Sequence, residues 1–185
     1  MSCHDSPTDQ ESTVQVSQAL DVVEALLRAA EHPDVTAVER YGRDVQHGGQ
    51  SPAGVKVVHR SGSAGMLWAA VPPRDAVAVP LPGEMPPPRL RAARVLVFVH
   101  QLLDAARPEQ FTSWELCRQP GVEVPVAAAL RITARDGSVI YLRGTSASGA
   151  GAEPEQDQHP DYQIPQGVQS WHLKVSAPSA EPASA

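Results

Sequence analysis

Leu130–Gly144, Leu-Arg-Ile-Thr-Ala-Arg-Asp-Gly-Ser-Val-Ile-Tyr-Leu-Arg-Gly, is the stretch whose reading decides the fold. Two apolar runs flank Asp136-Gly137, a dipeptide that tolerates the positive φ values of a tight turn, so the stretch reads as a β-hairpin. A two-residue loop places Thr133 opposite Ile140, Ile132 opposite Tyr141 and Arg131 opposite Leu142. One face then carries Leu130, Ile132, Ala134, Val139 and Tyr141 as core. The other carries Arg131, Thr133, Ile140 and Leu142.

The hairpin has an echo 75 residues earlier, in Val55–Ala69. Arg60, Gly62, Ser63 and Leu67 align with Arg135, Gly137, Ser138 and Leu142, and Lys56 with Arg131. The same shift puts Val22, Leu27, Ala30 and Pro33 on Val97, Leu102, Ala105 and Pro108. Val35–Glu39 matches Phe111–Glu115 at a shift of 76. Identities are few in a chain rich in Ala, Val and Arg. The order helix, Pro stop, strand, loop, hairpin nevertheless occurs twice, which favours an internal duplication over chance similarity. Two copies are too few for a solenoid.

The expected fold class is therefore α+β: two similar helix–strand–hairpin units related by a pseudo-twofold, with one helix each and antiparallel sheets that either stay separate or join into one. Residues 1–12 read as a disordered leader, 13–82 as the first unit, and 83–175 as the second, with an acidic loop at 145–160 and a C-terminal strand at Ser170–Val175. Residues 176–185 form an Ala/Pro/Ser tail. Leu20, Val23, Leu27 and Ala30 recur at helical spacing after a Ser12/Gln15 capping box, and His32-Pro33 ends that helix. The second helix, about 89–106, opens on Pro88, is the more apolar, and stops at Arg107-Pro108. Residues 72–88 hold seven Pro and read as an extended connector with a short edge strand at Val77–Val79. Tyr162–Pro165 resembles that segment and is the candidate for its counterpart.

At 185 residues the chain can form one sizeable core or two small ones sharing an interface. Two Lys against 13 Arg, with abundant Ala, Pro and Gly, give the pattern of a GC-rich, bacterial coding sequence. Net charge is −6, with −6 in residues 1–34, +4 in 35–108, none in 109–147 and −4 in 148–185. An acidic protein with a basic middle is a poor general nucleic-acid binder, because its field repels phosphate. No secretory signal and no membrane-length apolar run occurs, so a soluble cytoplasmic protein is expected.

Chemistry-bearing motifs are sparse. The seven His make no His-x-His or His-Glu-x-x-His, and there is no Cys-x-x-Cys, Walker loop, Gly-x-Ser-x-Gly or dinucleotide fingerprint. No cofactor and no metal is expected. His59 and His100 read as ordinary, partly exposed residues, and His4, His47 and His159 as loop residues. Cys117, in a strand, lacks a nearby group to lower its pKa and reads as a buried structural thiol.

Arg89, Arg91 and Arg94 crowd the start of the second helix, where cations oppose the helix dipole. That conflict points to a solvated basic patch, the favoured reading, or to an acidic partner, the protein's own first helix or its 153–161 loop included. Both hairpins carry a basic residue beside a Leu on the second face, Lys56 with Leu67 and Arg131 with Leu142. A solvated face is more polar than this, so either the two halves cover each other, the favoured reading, or the surface binds a partner. Lys56, Leu67, Arg131, Leu142, Arg89, Arg91 and Arg94 are the candidate interface. The function expected is non-enzymatic binding of another protein, or of a second copy, through the sheet faces, with no membrane partner. The rival is an enzyme or ligand binder with its site between the halves, using Cys117 or His residues brought together by folding. Nucleic-acid binding through the three Arg ranks last.

Overall fold

The computed structural model describes residues 8–46, 48–118 and 127–171. Helix α1 spans Thr8–Ala29 and is followed by strands β1 (Val35–Tyr41), β2 (Gly54–His59), β3 (Ala64–Ala69) and β4 (Val77–Val79). Helix α2 (Arg91–Ala106) then precedes β5 (Phe111–Arg118), β6 (Ala129–Ala134) and β7 (Val139–Ala147). The class is α+β, and the strands of both units share one sheet: seven antiparallel strands in the order β1-β2-β3-β7-β6-β5-β4. Among the described residues no helix is long and apolar enough to cross a membrane.

Some boundaries move. Helix α1 takes in residues 8–12 of the expected leader. Val77–Val79 does form the short edge strand, but Tyr162–Pro165 is irregular rather than a strand. Residues 1–7, the tail 176–185 and the foreseen last strand beyond Trp171 lie outside the described residues.

The larger correction is register. Ile132 faces Ile140, Thr133 faces Val139 and Leu130 faces Leu142, one residue away from the two-residue-loop reading. The loop is Arg135-Asp136-Gly137. Ala134 N–H donates to the Ser138 carbonyl at 2.8 Å, Gly137 N–H donates to the Ala134 carbonyl at 3.0 Å, and Gly137 has φ +85°. This is a three-residue hairpin with glycine in the left-handed position. The first hairpin is built alike, with Gly62 at φ +80° and His59 bonded to Ser63. A one-residue slip exchanges the faces of a strand. Leu67 and Leu142, placed on the second face by the shorter loop, are fully buried in the core. Met66, Trp68, Val139 and Tyr141 point the other way. Leu67, Ile140 and Leu142 thus take the helix-covered face, while on the opposite face Trp68 is half-buried and Tyr141 is buried.

Both helices cover one face of the sheet. Helix α2 lies across β3 and β7, and α1 packs beside it over β1 and β2. The close crossing of α2 depends on two glycines. A Cβ at Gly144 would stand 2.7 Å from Leu96 Cδ1 and 2.9 Å from the Ala92 carbonyl oxygen, and one at Gly65 would stand 3.2 Å from Val95. Leu96, Val99, Leu102 and Leu103 then fill the space above Leu67, Leu130, Ile132 and Leu142.

Local geometry recurs between the halves. Both first strands are irregular at their second residue, between Val35 and Ala37 and between Phe111 and Ser113. There Thr36 donates to the Val58 carbonyl at 3.2 Å, as Thr112 does to Thr133 at 3.2 Å. Glu31 and Arg107 each turn the chain out of a helix in left-handed conformation.

The connector after β3 must reach the far edge of the sheet, and it does so across the helix-free face. Ala70 N–H donates to the Tyr141 carbonyl at 2.9 Å, and Ala70 and Ala76 pack on Cys117, Ala129 and Tyr141. Residues 70–76 thus form a strap. It explains why three side chains facing away from both helices are buried.

The register predicts a specific pattern in urea melts. Leu67→Asp and Leu142→Asp each lower stability by more than ~3 kcal/mol, since each buries an unpaired carboxylate, whereas Val139→Asp, 47% exposed, changes it by less than ~1 kcal/mol. The opposite ranking of Leu142 and Val139 would restore the two-residue loop.

Candidate functional site: the helix-free sheet face

The face opposite the helices is assembled by strand alternation. It carries Glu39 from β1, Lys56 and Val58 from β2, Met66 and Trp68 from β3, Tyr141 and Arg143 from β7, Arg131 from β6 and Glu115 from β5. Of the seven candidate interface residues, Lys56 and Arg131 are on this face. Arg131 donates from Nε to Glu115 Oε1 at 2.8 Å, which holds its guanidinium firmly protonated. Leu67 and Leu142 are beneath it, in the core.

At the centre, Trp68 lies directly opposite Arg143 in the β3–β7 ladder, with the guanidinium carbon 5.4 Å from the ring centroid. That is cation–π distance. No carboxylate pairs with Arg143 among the described residues. Beside the pair, the strap encloses a groove of about 600 Å3 lined by Trp68, Tyr141, Arg143, Val71 and Pro73. Val71 is 89% exposed at its rim. The sequence reading assigned Tyr141 to the helix-covered core, so it missed this arrangement. No residue signal separates the two loop lengths, since Asp136-Gly137 fits a two-residue loop and the last two places of a three-residue one.

The Arg cluster at the start of α2 resolves differently from a solvated patch. Arg89 is exposed, but Arg91 and Arg94 are buried. Arg91 Nη1 reaches Asp34 Oδ2 at 2.7 Å, its Nε donates to Ser63 Oγ at 3.1 Å, and its Nη2 lies 2.8 Å from Glu153 Oε2. His59 Nδ1 lies 3.1 Å from the same Asp34 oxygen, so this buried histidine is not the partly exposed residue expected. Arg94 donates to the Pro86 carbonyl at 2.7 Å and to Asp157 at 2.6 Å. The 153–161 loop is therefore the acidic partner. Burial alone would raise the pKa of Asp34, but bonds from His59 and Arg91 outweigh it and hold the carboxyl well below its usual range. Glu153 and Asp157 are lowered against burial in the same way, by Ser63, Ser61 and Arg91 and by Arg94.

Folding brings together two histidines that are far apart in sequence. His32 meets Tyr162 at 4.4 Å, Phe98 at 5.3 Å and His159 at 5.9 Å between ring centroids. They border a cavity of about 570 Å3 that Arg94 and Asp157 also line. Burial, then Arg94, pushes the His32 pKa down to about 4. Its Nδ1 accepts the Asp34 N–H at 3.1 Å. His32 is thus neutral and structurally engaged. Cys117 lies elsewhere, buried under the strap, and burial pushes its thiol pKa up, the reverse of an activated nucleophile. Among the described residues no group of three His, Cys, Asp or Glu is placed to hold a metal.

These shifts fix the response to acid. His32 has a folded pKa of about 4 and an ordinary unfolded value near 6.5, so the unfolded chain binds more protons between those limits. Stability falls as pH drops through that window, by roughly 1–3 kcal/mol for a half-buried group. The lowered carboxylates add a second loss as pH falls further, below about 4. His32→Asn keeps an acceptor for Asp34 N–H and should flatten the first phase in urea melts between pH 7 and pH 4.5, leaving the second. An unchanged first phase would remove His32 as its cause.

No family model, no curated protein and no solved structure matches the chain.

Proposed function

We propose that the protein is a non-enzymatic binder that takes an acidic segment of a partner protein on its helix-free sheet face, centred on Trp68 and Arg143. The observation that carries this is Arg143 itself: a guanidinium held over Trp68, with no carboxylate partner among the described residues, beside a groove whose rim is the exposed Val71. Such a site offers one apolar contact and one charge contact in the same place, the combination that anchors interfaces. On the wider face Lys56 and Arg131 balance Glu39 and Glu115, so Arg143 leaves the face one net positive charge in a chain of net charge −6.

We also infer that the two halves descend from an internal duplication. The recurrent hairpin loops, strand irregularities and helix exits support it. Under the shift of 75, Trp68 and Arg143 are equivalent positions, so a pseudo-twofold axis would pass between them. The centre of the proposed interface is then where the two copies meet with unlike residues.

The test uses a photo-crosslinking residue at Val71 in cells, followed by identification of the captured protein and measurement with the purified pair. Arg143→Glu should weaken binding at least ~10-fold, and Trp68→Ala similarly, with thermal midpoints little changed. Arg28→Glu, exposed on the helix side, should have no effect. Capture of a second copy of this chain would make the protein a homodimer instead. Crosslinks indifferent to Arg143→Glu would refute the assignment.

A further inference from the structure

A second cavity, remote from the helix-free face, lies between the halves. It has a volume of about 690 Å3, within the range of small-molecule sites. Val22 and Ala25 of α1 form one wall, Phe111, Ala134 and Ile140 the other, and Trp171 closes a side. The lining is predominantly apolar.

Its origin is visible by comparison with the other end of the sheet. The positions equivalent to Gln110, Ala134 and Asp136 are Asp34, His59 and Ser61, which hold the buried cluster around Arg91. There the chain following β7 fills the remaining space. Gly149 lies so close to the first hairpin loop that a Cβ would stand 2.2 Å from Ser63 N, and Gly151 N–H donates to the Ser61 carbonyl at 3.1 Å. At the second hairpin Ala134 stands where His59 does. The segment after β3, which would have filled the space, leaves instead as the strap across the opposite face. Gly137 consequently has nothing within 4 Å of where a Cβ would be, unlike Gly62.

The charges at the mouth are not equivalent to one another. Asp21 is engaged by Arg40, and Asp136 Oδ1 accepts from both N–H (2.9 Å) and Oγ–H (2.6 Å) of Ser138. Arg135 is exposed and has no carboxylate partner among the described residues. An apolar chamber with one uncommitted guanidinium at its entrance selects an apolar body bearing a single anionic head.

We propose that this cavity is a binding site for an amphipathic carboxylate, an acyl chain or aromatic acid whose apolar part lies between Val22, Phe111 and Ile140 and whose carboxylate pairs with Arg135. The assignment is independent of the partner-binding role of the other face.

The full-length protein is titrated with decanoate and, separately, with decanol, following heat and tryptophan fluorescence. Saturable decanoate binding is expected, reported by Trp171 and lost from the fluorescence signal in Trp171→Phe while the heat remains. Arg135→Glu, an exposed change, should weaken decanoate by ~10-fold or more and leave decanol within ~2-fold. Ala25→Phe and, independently, Ala134→Phe should abolish binding of both while the thermal transition stays cooperative. No saturable binding by the wild-type protein would overturn the proposal. So would equal affinity for the two probes with no effect of Arg135→Glu. Binding that appears only after removal of residues 172–185 would assign the cavity to the chain's own C-terminal segment and overturn it equally.

Discussion

The structure depends on the antiparallel ladder between β3 and β7, clamped from one side by α2. Ala64–Ala69 pairs with Leu142–Ala147, and this one ladder joins everything before the Pro-rich connector to everything after α2. Because Gly65 and Gly144 lack side chains, the helix settles low enough to seal Leu67 and Leu142 from water. Two small cores thereby become one. The other features follow from that arrangement. The connector to the far edge has to pass over the helix-free face, where it buries Cys117. The chain leaving β7 runs back along the helix side, where Glu153 and Asp157 neutralise Arg91 and Arg94.

Much of this was legible in sequence. Pro33 and Pro108 marked the helix stops, and Asp136-Gly137 marked the second hairpin. Loop length was not legible. That dipeptide fits a two-residue loop or the last two places of a three-residue loop. Alternation could not arbitrate, because Met66-Leu67-Trp68 and Ile140-Tyr141-Leu142 are apolar on both faces. That ambiguity exchanged the core leucines with Trp68 and Tyr141 of the opposite face, and with them the centre of the candidate site. Lys56 and Arg131 stayed on the expected face because β2 and β6 did not slip relative to the core.

The Arg residues of α2 show a second limit. Their conflict with the helix dipole was a sound local signal of an acidic partner. Its identity was a matter of tertiary contact, since Arg91 meets Asp34 and Glu153 from opposite directions along the chain. A buried ion network of this kind contributes less to net stability than its short distances suggest, but removing one member leaves an uncompensated charge. Its contacts from Arg91 to Glu153 and from Arg94 to Asp157 tie the chain after β7 to the start of α2. The two places left unfilled, the groove beside Trp68 and the chamber beside Trp171, are where the halves differ in what covers them.

The central claim, that β3 and β7 bind two units into one cooperative body, is tested most directly by native-state hydrogen exchange. The account predicts that the ladder amides of β3 and β7, with those of β2 and β6, exchange only by global unfolding, at free energies agreeing within ~1 kcal/mol, while β4 at the edge opens earlier. Two separate plateaus, one for β1–β3 and another for β5–β7, would mean independently unfolding halves and would contradict it.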